Sequence, residues 1–81
     1  MKSRQILVTG GAGYIGAHMV RLLKEEGLSP VVIDSLETGH RSFVPRDVPF
    51  IKGDLRRTRD IEKVFAKFRL DAVIHFAASL V

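Results

Sequence analysis

Eighty-one residues, 46 % of them hydrophobic and 27 % charged, are typical of one small globular domain, which buries only about 60–65 % of the surface that its unfolded chain exposes. The chain has no cysteine, which excludes a disulfide framework and thiolate chemistry. Its formal net charge of +4 is compatible with an anionic partner, either a nucleotide or a nucleic acid.

The segment from Gln5 to Val8 is predicted as a buried strand, because strands of a parallel sheet covered on both faces are apolar along their length. Lys2 and Arg4 precede it, but its apolar run is too short for the core of a signal peptide or for a membrane span. We therefore expect a cytoplasmic protein with no membrane partner.

A turn with glycine at positions 10, 11, 13 and 16 follows this strand. Gly11-x-Gly13-x-x-Gly16 is the dinucleotide-binding fingerprint, and Gly10 extends it to a looser pattern with glycine at every third position. A tight turn requires positive φ, and a pyrophosphate must reach the backbone without meeting a Cβ. The first N–H groups of the next helix then point at the anion, with support from the helix dipole. The alternative interpretation is a purely structural turn.

The first helix is predicted from Tyr14 to Glu26, with Gly27 as the C′ residue after its end. Its apolar residues recur at helical spacing, and we expect them to face the core: Ile15, Met19, Leu22 and Leu23.

A second strand is predicted from Val31 to Ile33, and it ends at Asp34, 18 positions after Gly16. A carboxylate at this offset accepts the ribose hydroxyls of NAD and repels the 2′-phosphate of NADP. Arg41 nearby weakens that preference slightly. Together with the glycine turn, Asp34 predicts a dinucleotide site.

The chain from 35 to 49 has no clear period, and we predict a long loop with one helical turn beside the adenosine end of the dinucleotide. A short third strand, 50–52, leads to Gly53 and Asp54. Thr58 is predicted as the N-cap of a second helix, with Asp60 and Glu62 in its first turn. An amphipathic stripe of that helix is expected to face the core: Ile61, Val64, Phe65 and Phe68. A fourth strand begins at 72–74 and continues into 75–78.

Basic residues cluster in this second half of the chain: Arg56, Arg57, Arg59, Lys63, Lys67 and Arg69. Neither interleaved aromatic residues nor a nucleic-acid motif accompany them. We interpret them as a solvated helix face that also attracts anionic nucleotides, and we predict no nucleic-acid partner.

The order of the elements, with right-handed crossovers, predicts an α/β fold with a parallel sheet in the order 3-2-1-4. Residues 1–81 would form a Rossmann-type half-domain, one mononucleotide-binding half plus one strand. The fourth strand would be a bare edge, which predicts either a homo-oligomer through that strand or a longer parent protein.

The segment Thr9-Gly10-Gly11-Ala12-Gly13-Tyr14-Ile15-Gly16-Ala17-His18 resembles the opening of the extended short-chain dehydrogenase/reductase family, most closely its UDP-glucose (UDP-galactose) 4-epimerase branch. Other segments carry the same likeness: Asp34-Ser35-Leu36, Thr38-Gly39-His40-Arg41, Gly53-Asp54-Leu55-Arg56 and Val73-Ile74-His75-Phe76-Ala77-Ala78. The likeness covers essentially this whole chain but only about the first quarter of a typical epimerase.

The resemblance implies NAD as the cofactor. The amides of the glycine turn would bind the pyrophosphate and Asp34 the adenosine ribose, while Asp54 and the backbone of Leu55 would face the adenine. The segment from Phe76 to Ala78 would line the inner stretch of the cofactor. The cofactor-binding residues implied in this way are Gly10, Gly11, Gly13, Tyr14, Ile15, Gly16, Asp34, Ser35, Leu36, Thr38, Gly39, Asp54, Leu55, Phe76, Ala77 and Ala78.

Two positions depart from the family. Ser35 stands where many members carry Asn, and Leu80 stands where some carry a Lys that binds the pyrophosphate. In the family a Tyr-x-x-x-Lys pair and a Ser or Thr perform the acid/base work of an isomerase. They act on a UDP-sugar that passes a hydride to NAD and becomes a 4-keto intermediate. This intermediate turns over in the site and then accepts the hydride on its other face.

The one tyrosine here, Tyr14, is followed four positions later by His18 rather than Lys. We therefore predict no catalytic residue in this chain, no turnover by it alone, and a UDP-sugar only in a full-length parent. The histidines are dispersed, so no metal site is expected. The alternatives are another nucleotide-sugar dehydratase or reductase of the family, and a stand-alone module that binds nucleotides or self-associates.

Overall fold

Four strands form one parallel sheet in the order β3-β2-β1-β4, in a computed structural model that describes residues 4–36, 40–54 and 56–76. The strands are β1 (Gln5–Thr9), β2 (Ser29–Asp34), β3 (Phe50–Lys52) and β4 (Ala72–His75). The helices are α1 (Tyr14–Glu25) and α2 (Thr58–Lys67), with a 3₁₀ turn at Arg41–Phe43. The predicted fold class and strand order are confirmed, and so is the single helical turn in the long loop.

The strand register places the carboxyl ends of the strands side by side. Thr9 pairs with Ile33 of β2 and with His75 of β4, and Asp34 pairs with Lys52 of β3. The glycine turn leaves β1 at this edge, which is where ligands bind in open α/β sheets.

The two helices cover opposite faces of the sheet. On the α1 face, one apolar cluster joins the helix, the two central strands and the loop after β2: Val8, Ala12, Val20, Val32, Val44 and Val48. On the α2 face, a second cluster contains Leu7, Val31, Ile33 and Val64. Since successive strand residues point to opposite faces, β1 and β2 contribute to both clusters, which explains their continuous apolar sequence.

The buried face of α1 differs from the predicted one. Ile15 is 66 % exposed and Leu22 is 42 % exposed, whereas the buried residues are Gly16, Ala17 and Val20. Leu23 packs against the core as expected. The prediction is wrong because it followed the large apolar side chains, whereas Gly16 lies against the backbone of Gly10 and Gly11, where no side chain fits.

The end of α1 confirms Gly27 as the C′ residue. Gly27 has a φ of +81°, its N–H donates to the carbonyl of Lys24 at 3.0 Å, and the N–H of Leu28 donates to the carbonyl of Leu23 at 2.9 Å. These two bonds form a Schellman motif. The helix ends at Glu25, and the predicted last residue, Glu26, is its C-cap.

Two predictions about α2 are wrong. The N-cap is Arg57, with no side-chain cap among the described residues, and Thr58 already begins the helix. Phe65 is 57 % exposed, although Val64 is fully buried and Phe68 packs against the same cluster. Asp60, Val64 and Phe68 follow one another at intervals of four along one face, and Phe65 lies about 100° around the helix from Val64.

No helix in the described parts of the chain has both the length and the apolar character that a membrane crossing requires.

Candidate functional site

The glycine turn is held against the end of β2 by backbone bonds. Gly10 has a φ of +74°, a region that favours glycine, and its N–H donates to the carbonyl of Ile33 at 2.9 Å. The N–H of Gly13 donates to the carbonyl of Gly10 at 3.1 Å, which closes the turn, and α1 starts at the next residue.

The glycines of the turn differ in what a side chain would meet. A Cβ on Gly16 would lie 2.3 Å from the carbonyl oxygen of Gly10, and a Cβ on Gly11 would lie 2.8 Å from a methyl group of Val32. Both positions therefore require glycine for packing. A Cβ on Gly13 would meet its nearest neighbour at 3.4 Å, an ordinary contact. The protein itself does not require glycine at this position, whereas an external group that approaches the backbone does.

The N-terminus of α1 is open to an anion. Gly13 is the N-cap, no side chain of the described residues caps the helix, and its first turn has no acidic residue. The free N–H groups and the positive end of the helix dipole therefore lack a negative partner there. Tyr14 is 86 % exposed at this end, and its neighbour Ile15 is exposed as well.

Asp34 connects the turn with the loop after β2. The residue is 9 % exposed, Oδ2 accepts the N–H of Ala12 at 2.9 Å, and Oδ1 accepts the N–H of Leu36 at 2.7 Å. Each carboxylate oxygen keeps a further lone pair for a hydroxyl group. The predicted ribose-binding carboxylate thus lies directly beside the open helix end.

The loop after β2 holds a strained residue. Leu36 has a φ of +65°, a conformation that costs a branched side chain about 1–3 kcal/mol. The bond from its N–H to Asp34 maintains this conformation, and the N–H of His40 donates to the carbonyl of Ala12 at 2.9 Å. Both ends of the intervening segment are therefore tied to the site.

Asp54 lies at the carboxyl end of β3, next to β2. The N–H of Gly53 donates to the carbonyl of Asp34 at 3.1 Å. Arg56 Nε donates to both oxygens of Asp54, at 3.0 and 2.9 Å, and the N–H of Arg56 donates to Oδ1 at 2.8 Å. These bonds, the side-chain ones foremost, lower the pKa of Asp54 from 3.8 to about 2.

Two features of the site had no signal in the sequence analysis. The carboxylate of Asp60, interpreted there as a helix-start residue, accepts the N–H of Asp54 at 2.8 Å. Thr9 Oγ1 lies 2.5 Å from His75 Nδ1, between the ends of β1 and β4. The contact between Thr9 and His75 follows from the strand register, which a single sequence does not specify.

The remaining predicted residues are placed as follows. Ser35 is half-buried beside Asp34, and Phe76 packs against the α1 face of the core. Thr38, Gly39, Leu55, Ala77 and Ala78 lie outside the described residues. No group of three metal-ligating side chains comes together among the described residues.

Comparison with known proteins places this geometry in a family context. Residues 6–81 match the model of the NAD dependent epimerase/dehydratase family. UDP-glucose 4-epimerase of Azospirillum brasilense is 44 % identical over 79 residues, which cover 98 % of this chain and 23 % of that protein. The UDP-glucose 4-epimerase of Lactobacillus helveticus is 47 % identical over 74 residues, which cover 91 % of this chain and 22 % of that protein.

Solved structures show the same relationship. The UDP-glucose 4-epimerase of Thermus thermophilus in complex with NAD has a TM-score of 0.89 at 48 % identity, and the match covers 93 % of this chain and 24 % of that one. The Brucella ovis enzyme in complex with NAD has a TM-score of 0.85 at 48 % identity, over 98 % of this chain and 24 % of that one. The chain therefore spans about a quarter of the length of these relatives, and the resemblance found in the sequence is confirmed.

Proposed function

This chain belongs to the NAD dependent epimerase/dehydratase family, and we propose that it forms the part of a UDP-glucose 4-epimerase that binds the adenosine and pyrophosphate of NAD. The observation that carries the proposal is the space at Gly13. A Cβ there would meet nothing closer than 3.4 Å in the protein, and Gly13 is the N-cap residue of α1, which has no side-chain cap among the described residues. A pyrophosphate at this helix end gains N–H donors and the helix dipole.

The buried carboxylate of Asp34 supports NAD over NADP. A 2′-phosphate at this position would meet a negative charge that two backbone N–H groups already fix in place. Arg41 is engaged elsewhere, since its Nη1 donates to the carbonyl of Val44 at 3.1 Å and its guanidinium lies 4.8 Å from the ring centre of Phe50. The cation that could have favoured NADP is therefore engaged by the loop at Val44 and by the first residue of β3.

The remaining contacts follow the strand ends. Asp54 would face the adenine together with the backbone of Leu55, because β3 ends beside Asp34 and the two strand ends share a hydrogen bond. The segment that contains Ser35, Leu36, Thr38 and Gly39 would border the adenosine. Phe76, Ala77 and Ala78 would line the inner stretch of the cofactor. NAD bound here would take a hydride from a UDP-sugar and return it, which makes the parent protein an isomerase.

The acid/base pair and the sugar-binding residues of such an enzyme are not among the residues of this chain, so we propose that it binds the cofactor without turnover of its own. A dehydratase or reductase of the family would bind NAD through the same residues. A cytoplasmic location stays a prediction.

A second candidate function is self-association through β4. Val73 on this strand is 52 % exposed, and among the described strands β4 pairs with β1 alone. An exposed strand edge is a template for another strand. A monomeric mass in solution at high protein concentration would contradict this candidate.

A thermal-shift titration with NAD and, separately, NADP tests the main proposal. NAD at 100 times its Kd should stabilise the chain by about 2.7 kcal/mol, with a smaller effect of NADP. Gly13→Val should abolish the shift. Asp47→Asn should keep it, since the side chain of Asp47 is 69 % exposed and pairs with Lys24 in the last turn of α1, away from the glycine turn. A wild-type protein without any shift, or a folded Gly13→Val variant with the full shift, would contradict the proposal.

A further inference from the structure

We infer that Asp60 is a positioning residue for nucleotide recognition: its carboxylate holds the backbone of Gly53 and Asp54 in the conformation that presents Asp54 to the base. This inference rests on the proposed function, since it assigns to Asp54 the contact with adenine. The hydrogen bond between Asp60 and the backbone of Asp54 is observed in the structure and does not depend on that assignment.

The side chain of Asp60 is buried beneath the turn that joins β3 to α2. The residue as a whole is 9 % exposed, and its Oδ2 accepts the N–H of Asp54 at 2.8 Å. A Cβ on Gly53 would lie 3.1 Å from Asp60 Cγ and 3.2 Å from its Oδ2. Glycine at 53 therefore lets the carboxyl group of Asp60 pack directly against the strand end.

The bond from Asp60 serves the turn rather than the helix. In a capping box the third residue of a helix reaches back to the N–H of the N-cap, which is Arg57 here. Asp60 instead reaches past Arg57 to Asp54, and the N–H of Arg57 donates to the carbonyl of Asp54 at 2.9 Å. The backbone of Asp54 is thus held on both its N–H and its carbonyl group by the start of α2.

A buried carboxylate is costly unless hydrogen bonds and local fields compensate for its desolvation. Asp60 lies in the first turn of α2, where the positive end of the helix dipole stabilises its negative charge. The N–H of Asp54 adds a charge-assisted hydrogen bond to the same carboxylate. With its backbone held, Asp54 projects a carboxylate that Arg56 also orients. Four N–H bonds from Arg56 occupy the two carboxylate oxygens of Asp54, so an exocyclic amino group would replace one bond from the exposed Arg56 side chain.

Two dinucleotides that differ in one base substituent test the inference. NAD carries an amino group on its base, whereas nicotinamide hypoxanthine dinucleotide carries a carbonyl oxygen there, which a carboxylate repels. The wild-type protein should therefore bind NAD more tightly than the analogue. Asp60→Ala should weaken NAD binding about tenfold, the size of one charge-assisted hydrogen bond, and should change binding of the analogue far less.

The control variants separate positioning from charge and folding. Asp60→Asn keeps an acceptor for the N–H of Asp54 and should retain most of the preference for NAD. Glu62→Gln removes one negative charge from an exposed position on the same helix and should leave the preference unchanged. Gly53→Ala should displace the Asp60 carboxyl group, because the added Cβ would lie 3.1 Å from its Cγ, and should therefore reduce the preference for NAD over the analogue. This variant tests the inference if Asp60→Ala fails to fold.

Hydrogen exchange at the amide of Asp54, measured without ligand, provides a second readout. Its protection should be lost in Asp60→Ala and kept in Glu62→Gln. If Asp60→Ala, or Gly53→Ala in its place, keeps the wild-type ratio of the two affinities, the inference is overturned while the proposed function stands. If the wild-type protein binds neither dinucleotide, the proposed function fails and the inference fails with it.

Discussion

The carboxylate of Asp34 and the backbone N–H of Ala12 form a buried hydrogen bond of 2.9 Å between residues 22 positions apart in the chain. This side chain thereby joins the glycine turn to the end of β2, in addition to the backbone bond from Gly10 to Ile33. The same carboxylate accepts the N–H of Leu36, so the group that we propose for ribose recognition also maintains the shape of the site.

Replacement of Asp34 should separate these two roles. Asp34→Ala leaves the N–H groups of Ala12 and Leu36 without their acceptor, and the free energy of unfolding should fall by about 1–3 kcal/mol. Asp34→Asn keeps one acceptor oxygen but turns a donor NH2 group toward the other N–H, so it should lose part of this stability. It also loses the charge, and with it the preference for NAD over NADP. Urea denaturation and calorimetric titration with both dinucleotides measure the two effects. An unchanged NAD/NADP ratio in Asp34→Asn would contradict the proposed role of the charge.

Two glycines of the turn should differ in how much stability the same substitution to alanine removes. Gly16→Ala places a methyl group 2.3 Å from the backbone oxygen of Gly10, and the free energy of unfolding should fall by about 3 kcal/mol, the upper end of the cost of overpacking. Gly13→Ala has room within the protein, so its free energy of unfolding should stay within about 1 kcal/mol of the wild type.

The two variants should also differ in binding. Gly13→Ala should lose NAD affinity while it stays folded, because its methyl group occupies the approach of the pyrophosphate. Chemical denaturation and NAD titration of the pair check both outcomes. Wild-type NAD affinity in Gly13→Ala would mean that the nucleotide does not lie over this turn.

The sheet order and the turn could be predicted because local chemistry determines them. The glycine spacing, the apolar β1 and β2, and Asp34 at the offset that the fingerprint requires all favour the same arrangement. The buried face of α1 could not be predicted from large apolar side chains, since Gly16 and Ala17 are buried instead of Ile15. Gly16 lies against the backbone of the glycine turn, a close approach that periodicity does not encode.

The start of α2 shows a second limit of sequence analysis. Thr58 is a common N-cap residue, and its position before an acidic first turn favoured it for that role. The chain instead enters the helix at Arg57, because Asp60 is drawn to the N–H of Asp54, six positions earlier. A local hydrogen bond to the turn before the helix thus outweighs the capping preference. The exposed Phe65 follows from the same cause, since a face that contains Asp60, Val64 and Phe68 leaves Phe65 to one side.

Gly27 provides a test of backbone strain without steric contact. Nothing lies within 4 Å of a Cβ built at this position, but its φ is +81°. Gly27→Ala should lower the free energy of unfolding by about 1 kcal/mol, since a left-handed conformation is costly for alanine. Gly27→Asn should cost less, because asparagine tolerates this region. Urea denaturation of the wild type and the two variants measures their free energies of unfolding. Equal stability of Gly27→Ala and the wild type would contradict the predicted cost of the left-handed conformation.

The ion pair between Asp54 and Arg56 should make stability depend on pH in the acid range. The pKa of Asp54 is lowered from 3.8 to about 2, with the hydrogen bond from the Arg56 side chain as the largest cause. A lowered folded-state pKa means that this contribution to stability is present above about pH 3.8 and is lost as the pH falls through about 2. Arg56→Gln should return the pKa of Asp54 toward 3.8 and flatten the fall in stability between these two pH values.

Arg57→Gln is the matched control, because it removes a weaker coulombic partner of Asp54 and should raise the pKa of Asp54 less. Carboxyl-carbon NMR titration of Asp54 in the three proteins measures the shift, and a pKa for Asp54 that Arg56→Gln leaves near 2 would show that another group holds the carboxylate.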